Sequence, residues 1–233
     1  EWAALVALLL QGSGRPGMPI VSAGYSSYQL FKATLQYLAS RNLSKQPQLF
    51  GMSDVTIPTS DGAPTFLDGS RGLNILYKMA PWSYELLRQE ARSSIAMLND
   101  HVSDHFDSTF VLKVDQPLYR HDLLAQMPVS SFGLSSTSDN IDQELENISR
   151  KLYSSLSRGL SDRVNLTTIV MPEQQPWELG LRKPPHVRDS SLLVGFVLDP
   201  TNANRTVDHG PPAGSKKEAA MFRQFWGEKA ELR

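Results

Sequence analysis

The chain has 233 residues, 40% of them hydrophobic and 20% charged, which is enough to bury a core and more than one small domain needs. Lys and Arg number 23 against 24 Asp and Glu, so no global basic field draws the chain to nucleic acid and any such contact must be local. Cysteine is absent, which excludes disulfides, zinc knuckles and a thiol nucleophile and points to an intracellular compartment.

The first elements are helical. Trp2 to Leu10 is apolar on all sides but too short to span a bilayer. It lacks an initiator Met, a basic leader and a small-residue cleavage site, so it does not read as a signal peptide. A buried helix over Glu1–Gln11 is expected instead, and the chain reads as a piece of a longer protein. Ser26 or Ser27 caps a second helix to about Ser40, with Tyr28, Phe31, Leu35 and Leu38 as its buried stripe. Arg41 to Gly62 is polar and weakly patterned, and is expected to be a connecting loop.

A different rhythm starts at Pro64. Thr65 to Asp68 reads as a short strand, followed by a turn over Gly69 to Gly72. Pro81 then opens a helix to Asp100, because the first helical turn needs no N–H from it. Tyr84, Leu87, Ala91, Ile95 and Leu98 form its apolar stripe, and Glu85, Arg88, Gln89, Arg92 and Ser93 fill the opposite side. Phe106, Ser108, Phe110 and Leu112 alternate with Asp107, Thr109 and Val111, a strand pattern, and Tyr119 to Met127 is its expected antiparallel partner. Asp139 caps a long helix whose Ile141, Leu145, Ile148, Leu152, Leu156 and Leu160 share one stripe. Its acids come first and its bases last, as the helix dipole favours. Val164 to Val170 closes the unit as a strand.

The order strand, helix, strand, strand, helix, strand predicts an α+β fold with a ferredoxin-like (βαββαβ) centre. RNA-binding modules of that fold stack bases on strand aromatics, a role open to Phe106 and Phe110, but the accompanying glycine-and-aromatic signature is missing. Core phenylalanines are the default. Pro172, Pro176, Pro184 and Pro185 mark a linker. Leu192 to Leu198 is continuously apolar, as in a strand buried on both faces, and is read as the start of a new unit. Ser215 caps a last helix with Ala219, Phe222, Phe225 and Trp226 facing inward.

Catalytic constellations are not found. His101 and His105 stand four apart with Asp104 and Asp107 nearby, but at the junction of a helix and a strand their rings need not converge on a metal. His121-Asp122 has no nucleophile beside it. Gly210 to Lys217 lacks the P-loop spacing. No glycine–serine pair is followed by Asp-x-Asp on a strand, which two-metal nucleotidyl transfer would need. Asn-x-Ser/Thr triplets at Asn42, Asn147, Asn165 and Asn204 have meaning only in a secreted chain.

Two stretches carry a resemblance. One is Thr65-Phe66-Leu67-Asp68 with Gly72-Leu73-Asn74-Ile75, Ser83-Tyr84 and Glu90-Ala91-Arg92. The other runs from Phe222-Arg223-Gln224-Phe225-Trp226-Gly227 to Arg233, preceded by Gly195, Leu198, Asp199-Pro200 and Asp208-His209-Gly210-Pro211. Together they resemble the nucleolar RNA-associated protein family. The resemblance implies a large protein with two tandem units similar to CCA-adding enzymes and poly(A) polymerases. Residues 1–62 would end a helical poly(A)-polymerase/oligoadenylate-synthetase-like domain. Residues 63–172 would be the ferredoxin-like domain, 173–189 a linker, and 190–233 the start of a second, nucleotidyltransferase-like α/β domain.

The same resemblance implies a non-catalytic scaffold of the nucleolar small-subunit processome, acting in pre-18S rRNA processing. Its partners would be pre-ribosomal RNA and other processome proteins, with no membrane, small-molecule substrate, cofactor or metal. Arg182, Lys183, Arg188, Lys216, Lys217 and Arg223 are the candidates for contact with the RNA backbone, although an ordinary solvated cation is the default reading of each. The rival readings are an active RNA nucleotidyltransferase and a pure protein-interaction module.

Overall fold

The computed structural model describes residues 2–11, 19–50, 62–69, 71–112, 120–134, 141–172, 190–212 and 214–230. Three helices and a small sheet make the first core. They are α1 (Trp2–Gln11), α2 (Ser27–Ser40) and α3 (Pro81–Leu98). The sheet pairs β1 (Gln48–Phe50) parallel to β2 (Phe66–Asp68), and β2 antiparallel to β3 (Leu73–Asn74). Leu5, Leu9, Val21, Tyr37, Leu38, Leu43, Phe66, Tyr84 and Ala91 pack together between these elements.

Helix α2 begins in a capping box. The Ser26 hydroxyl accepts from the Gln29 N–H at 3.3 Å, and the Gln29 side chain accepts from the Ser26 N–H at 2.8 Å. Its buried arc is rotated from the expected stripe. Thr34, Tyr37 and Leu38 are buried, whereas Tyr28 and Phe31 stay exposed. Thr34 tolerates burial because its hydroxyl donates to the Leu30 carbonyl at 2.7 Å.

Helix α3 starts at Pro81 as expected, and Tyr84 and Ala91 are buried. Arg88, expected on its polar side, is buried as well. Its Nε donates to the Arg41 carbonyl at 3.0 Å, and its Nη1 reaches both Glu85 oxygens at 3.0 and 2.8 Å. The Tyr84 hydroxyl accepts from the Leu43 N–H at 3.0 Å and donates to the Arg41 carbonyl at 3.3 Å. Two polar side chains thus satisfy the Arg41 carbonyl and the buried Leu43 N–H just beyond α2.

Strand β1 lies inside the stretch expected to be a loop. It forms because the Gln48 N–H donates to the Thr65 carbonyl at 3.0 Å and continues the ladder to Asp68. Asn74 braces the same sheet. Its Oδ1 accepts from the Phe66 and Leu76 N–H groups at 3.0 and 3.1 Å, and its Nδ2 donates to the Pro64 carbonyl at 3.1 Å. Gly72 makes the tight turn before β3 at φ +66, a conformation unfavourable to a side chain.

The stretch expected as a strand around Phe106 is the short helix α4 (Phe106–Phe110). Phe106 and Phe110 fit a helix at four residues apart as well as they fit alternation. Local bonding decides: Asp104 Oδ1 accepts from the Phe106 N–H at 2.9 Å, and the Ser108 hydroxyl returns to the His105 carbonyl at 3.0 Å.

The second core is built on a three-stranded antiparallel sheet in the order β4 (Leu123–Pro128), β6 (Ser191–Leu198), β5 (Val164–Val170). Helix α5 (Ile141–Leu160) packs on it, and helix α6 (Lys216–Trp226) follows the sheet. Leu192, Val194 and Phe196 of β6 lie between Ala125 and Met127 of β4 and Ile169 of β5, under Leu145, Ile148 and Leu152 of α5.

The fold is therefore α+β, but the expected sandwich from Phe66 to Val170 is not the one formed. Phe66–Asp68 belongs to the first sheet, Phe106–Leu112 contributes no strand, and the centre of the second sheet is Leu192–Leu198. That strand was expected to open a separate unit at 190. Its unbroken apolar run is what a central strand needs, and it is hydrogen-bonded on both edges within the sheet formed by 123–170. The connecting 173–189 stretch and the expected Asp139 cap lie outside the described residues. Among the described residues no helix is long and apolar enough to cross a membrane.

Candidate nucleic-acid interface

Three of the six candidate cations, Arg182, Lys183 and Arg188, lie outside the described residues. The other three share α6. Lys216 and Lys217 open it, Arg223 lies seven residues after Lys216, and all three are exposed. Seven residues are nearly two full turns, so Lys216 and Arg223 sit on one face, about 10 Å apart along the axis. That is a few phosphate spacings along a nucleic-acid strand. Within α6 only Glu218 opposes these charges.

The opposite face of α6 is what fixes the cations in place. Phe222, Phe225 and Trp226 are half-buried, with ring centroids 6.2 Å apart for Phe222 and Trp226 and 5.1 Å for Phe225 and Trp226. The Arg158 guanidinium, in the last turn of α5, lies 4.4 Å from the Phe225 ring centroid and donates to the Met221 carbonyl at 3.1 Å. The end of α5 lies close against this ring: a Cβ at Gly159 would stand 3.5 Å from it, an ordinary packing contact. Ser215 occupies the position before α6 but makes no side-chain cap bond, so the expected serine cap is absent.

A second fastening lies beneath the loop leading to α6. Arg205 Nη1 and Nη2 donate to the two oxygens of Asp162 at 2.9 and 2.6 Å, and its Nε donates to Asp208 at 2.8 Å. Arg163 Nε donates to the other Asp208 oxygen at 3.2 Å. The Arg205 hydrogen bonds hold the Asp162 carboxyl below its usual range. At Asp208 desolvation pushes upward, but Arg205 and Arg163 together outweigh it and hold the carboxyl low. The Asp162 and Asp208 bonds raise Arg205 in turn. Arg163 and Arg205 are thus spent on carboxylates, whereas Lys216, Lys217 and Arg223 are not paired in this network.

The remaining sequence candidates take structural positions. The His121 ring lies against Gly195, where an added Cβ would stand 2.5 Å from it, and its Nε2 shares a hydrogen bond of 2.7 Å with the Thr168 hydroxyl. Asp122 accepts from the Leu198 N–H at 2.8 Å. His105 Nε2 meets Asp100 at 2.8 Å, and the Val102 N–H, followed by His105, holds the Asp100 carboxyl below its usual range. Among the described residues no three His, Asp or Glu converge as a metal site. Phe106 and Phe110 are on α4 rather than on a sheet, so the base-stacking arrangement of an RNA-recognition sheet is not theirs. Sequence reasoning missed Arg158 and the Arg205 cluster, because contacts between residues 43 or more positions apart leave no local spacing to read.

Comparison with known proteins settles the kinship. Residues 104–233 match the model described as Nrap protein domain 3, and residues 1–113 match the Nrap protein PAP/OAS-like domain. The chain belongs to the Nrap family. The Nrap domain 3 match takes in β4, β5 and β6 together, in keeping with their single sheet. The chain is 29% identical to the U3 small nucleolar RNA-associated protein 22 of Saccharomyces cerevisiae, with all of this chain and 21% of that protein aligned. It is 26% identical to the protein of the same name in Schizosaccharomyces pombe, over all of this chain and 22% of that one. It is 31% identical to nucleolar protein 6 of Xenopus tropicalis, over 89% of this chain and 19% of that one. The chain thus spans about a fifth of the length of the curated relatives it matches.

Proposed function

We propose that this Nrap chain is part of a non-catalytic scaffold of ribosome biogenesis. It works in the nucleolus, in the small-subunit processome, where it holds pre-ribosomal RNA and assembly factors during pre-18S rRNA processing. The observation that carries the reading is the similarity along the whole chain to proteins named for the U3 small nucleolar RNA and the nucleolus. The outer face of α6 supports it, because Lys216, Lys217 and Arg223 are exposed on a helix that Arg158 and the Arg205 cluster keep in register. Cations held apart on a rigid element can neutralise successive phosphates with little further ordering cost.

The rival enzyme reading, an active RNA nucleotidyltransferase, draws on the match to a domain described as PAP/OAS-like. One experiment separates them. The full-length protein is depleted from cells, precursors of the small-subunit RNA are followed, and the purified protein is incubated with RNA, magnesium and labelled nucleotide. The scaffold reading expects small-subunit precursors to accumulate and no label to enter RNA. Normal precursor levels, or growth of an RNA tail, would overturn it.

A further inference from the structure

An aromatic surface on α2 and α4 takes no part in this reading. Tyr28 and Phe31 of α2 are 50% and 44% exposed, and Phe106 and Phe110 of α4 are 58% and 41% exposed. Three of these rings are continuous: Phe31 and Phe110 centroids are 5.9 Å apart, and Phe106 and Phe110 are 5.0 Å apart, while Tyr28 lies one turn before Phe31 on α2. Val111 and Leu112, next in the chain, are exposed as well. A contiguous cluster of large exposed rings is costly in water and is what recognition surfaces use as anchors. The cluster is held on a framework. The Ser108 and Thr109 hydroxyls of α4 reach the Met97 sulfur of α3 at 3.9 and 4.0 Å, so α4 is braced against α3 and touches α2 through Phe31.

The surrounding charge narrows the occupant. From Asn99 to Leu112 there are three aspartates and no lysine or arginine, and Lys113, the next residue, lies outside the described residues. Asp104 and Asp107 are exposed at the start of α4, and Asp100 is held ionised by the Val102 N–H and His105. Lys32, next to Phe31, directs its ammonium to the Leu98 carbonyl at 3.4 Å. A nucleic-acid strand also stacks on aromatic rings, but it needs cations along its backbone, and an acidic rim repels it. A basic, apolar peptide is complementary to both the rings and the rim.

We propose that the patch formed by Tyr28, Phe31, Phe106 and Phe110 is a docking surface for a segment of a partner protein that carries bulky apolar side chains beside lysine or arginine. It is separate from the α6 face and stands or falls without it.

The test places the photocrosslinker p-benzoylphenylalanine at Tyr28 of the full-length protein in cells and sequences the crosslinked peptides. The expected product is a peptide of another protein with bulky apolar residues within a turn or two of lysine or arginine. Because anchor rings dominate such contacts, Phe106→Ser with Phe110→Ser lowers its yield about fivefold or more. Asp104→Asn with Asp107→Asn lowers it about two- to threefold, and more weakly at high salt, because the rim contributes through charge. The aspartate pair also guards against misfolding, since Asp104→Asn keeps a side-chain oxygen for the Phe106 N–H. Crosslinks confined to RNA or to the same protein, a peptide without basic residues, no crosslink, or yields indifferent to both variants would overturn the proposal.

Discussion

The two cores of this chain are held together in different ways. In the first, single polar side chains bridge distant backbone groups: Asn74 ties Pro64, Phe66 and Leu76, and Tyr84 and Arg88 tie the chain just beyond α2. In the second, a ladder of three strands carries a contiguous apolar layer under α5, with the His121–Thr168 hydrogen bond on the sheet and an ion-pair network where α6 is fastened. The first core depends on a few irreplaceable hydrogen bonds. The second distributes its stability over burial, which leaves its surface charges available for function.

The sharpest test of this contrast is Leu192→Ala, which empties a fully buried site in the central strand. It should cost about 2–5 kcal/mol, read by denaturant unfolding. Asn74→Ala should follow at about 2 kcal/mol, because two N–H groups and one carbonyl lose their partner. Asn74→Asp should recover part of that loss, since a carboxylate still accepts from Phe66 and Leu76 but no longer donates to Pro64. If the two Asn74 variants were equal, the bracing role would be wrong.

Arg158→Ala should loosen α6 without unfolding the sheet. The loss of one exposed cation–π contact and one hydrogen bond is worth about 1 kcal/mol, visible as faster amide exchange confined to α6. The smallest effect concerns acid. Asp162 and Asp208 have folded values below their unfolded ones near 4, so the stability they add is present above that pH and is lost as pH falls through the folded values. The melting temperature of Asp162→Asn with Asp208→Asn should therefore converge with that of the parent as the pH drops below about 4.

Much of the helical framework is legible in the sequence. Pro81 and the apolar spacing locate α3, the charge gradient and leucine stripe locate α5, and the aromatic spacing identifies the inward face of α6. The strands β5 and β6 are legible as segments, but not their pairing: an apolar run shows that Leu192–Leu198 is central without showing whose sheet it centres. Strand β1 is hidden because three residues carry no periodicity, and α4 is misread because two phenylalanines four apart satisfy both periods. Arg88 looks solvated by its place on the helix wheel, and the Arg41 carbonyl across the fold, together with Glu85, explains its burial. For the candidate interface, the cations of α6 are visible as residue types. Their support by Arg158 and Arg205 arises from long-range contacts that no spacing reports.

The proposed role of α6 as a carrier of RNA-facing charge is tested most directly by ultraviolet crosslinking of the full-length protein to pre-ribosomal RNA. With Lys216→Glu, Lys217→Glu and Arg223→Glu combined, crosslinks within α6 should vanish, and the salt dependence of RNA binding should flatten by about one unit of slope per contact removed. Crosslinks and salt dependence unchanged by the three substitutions would contradict it.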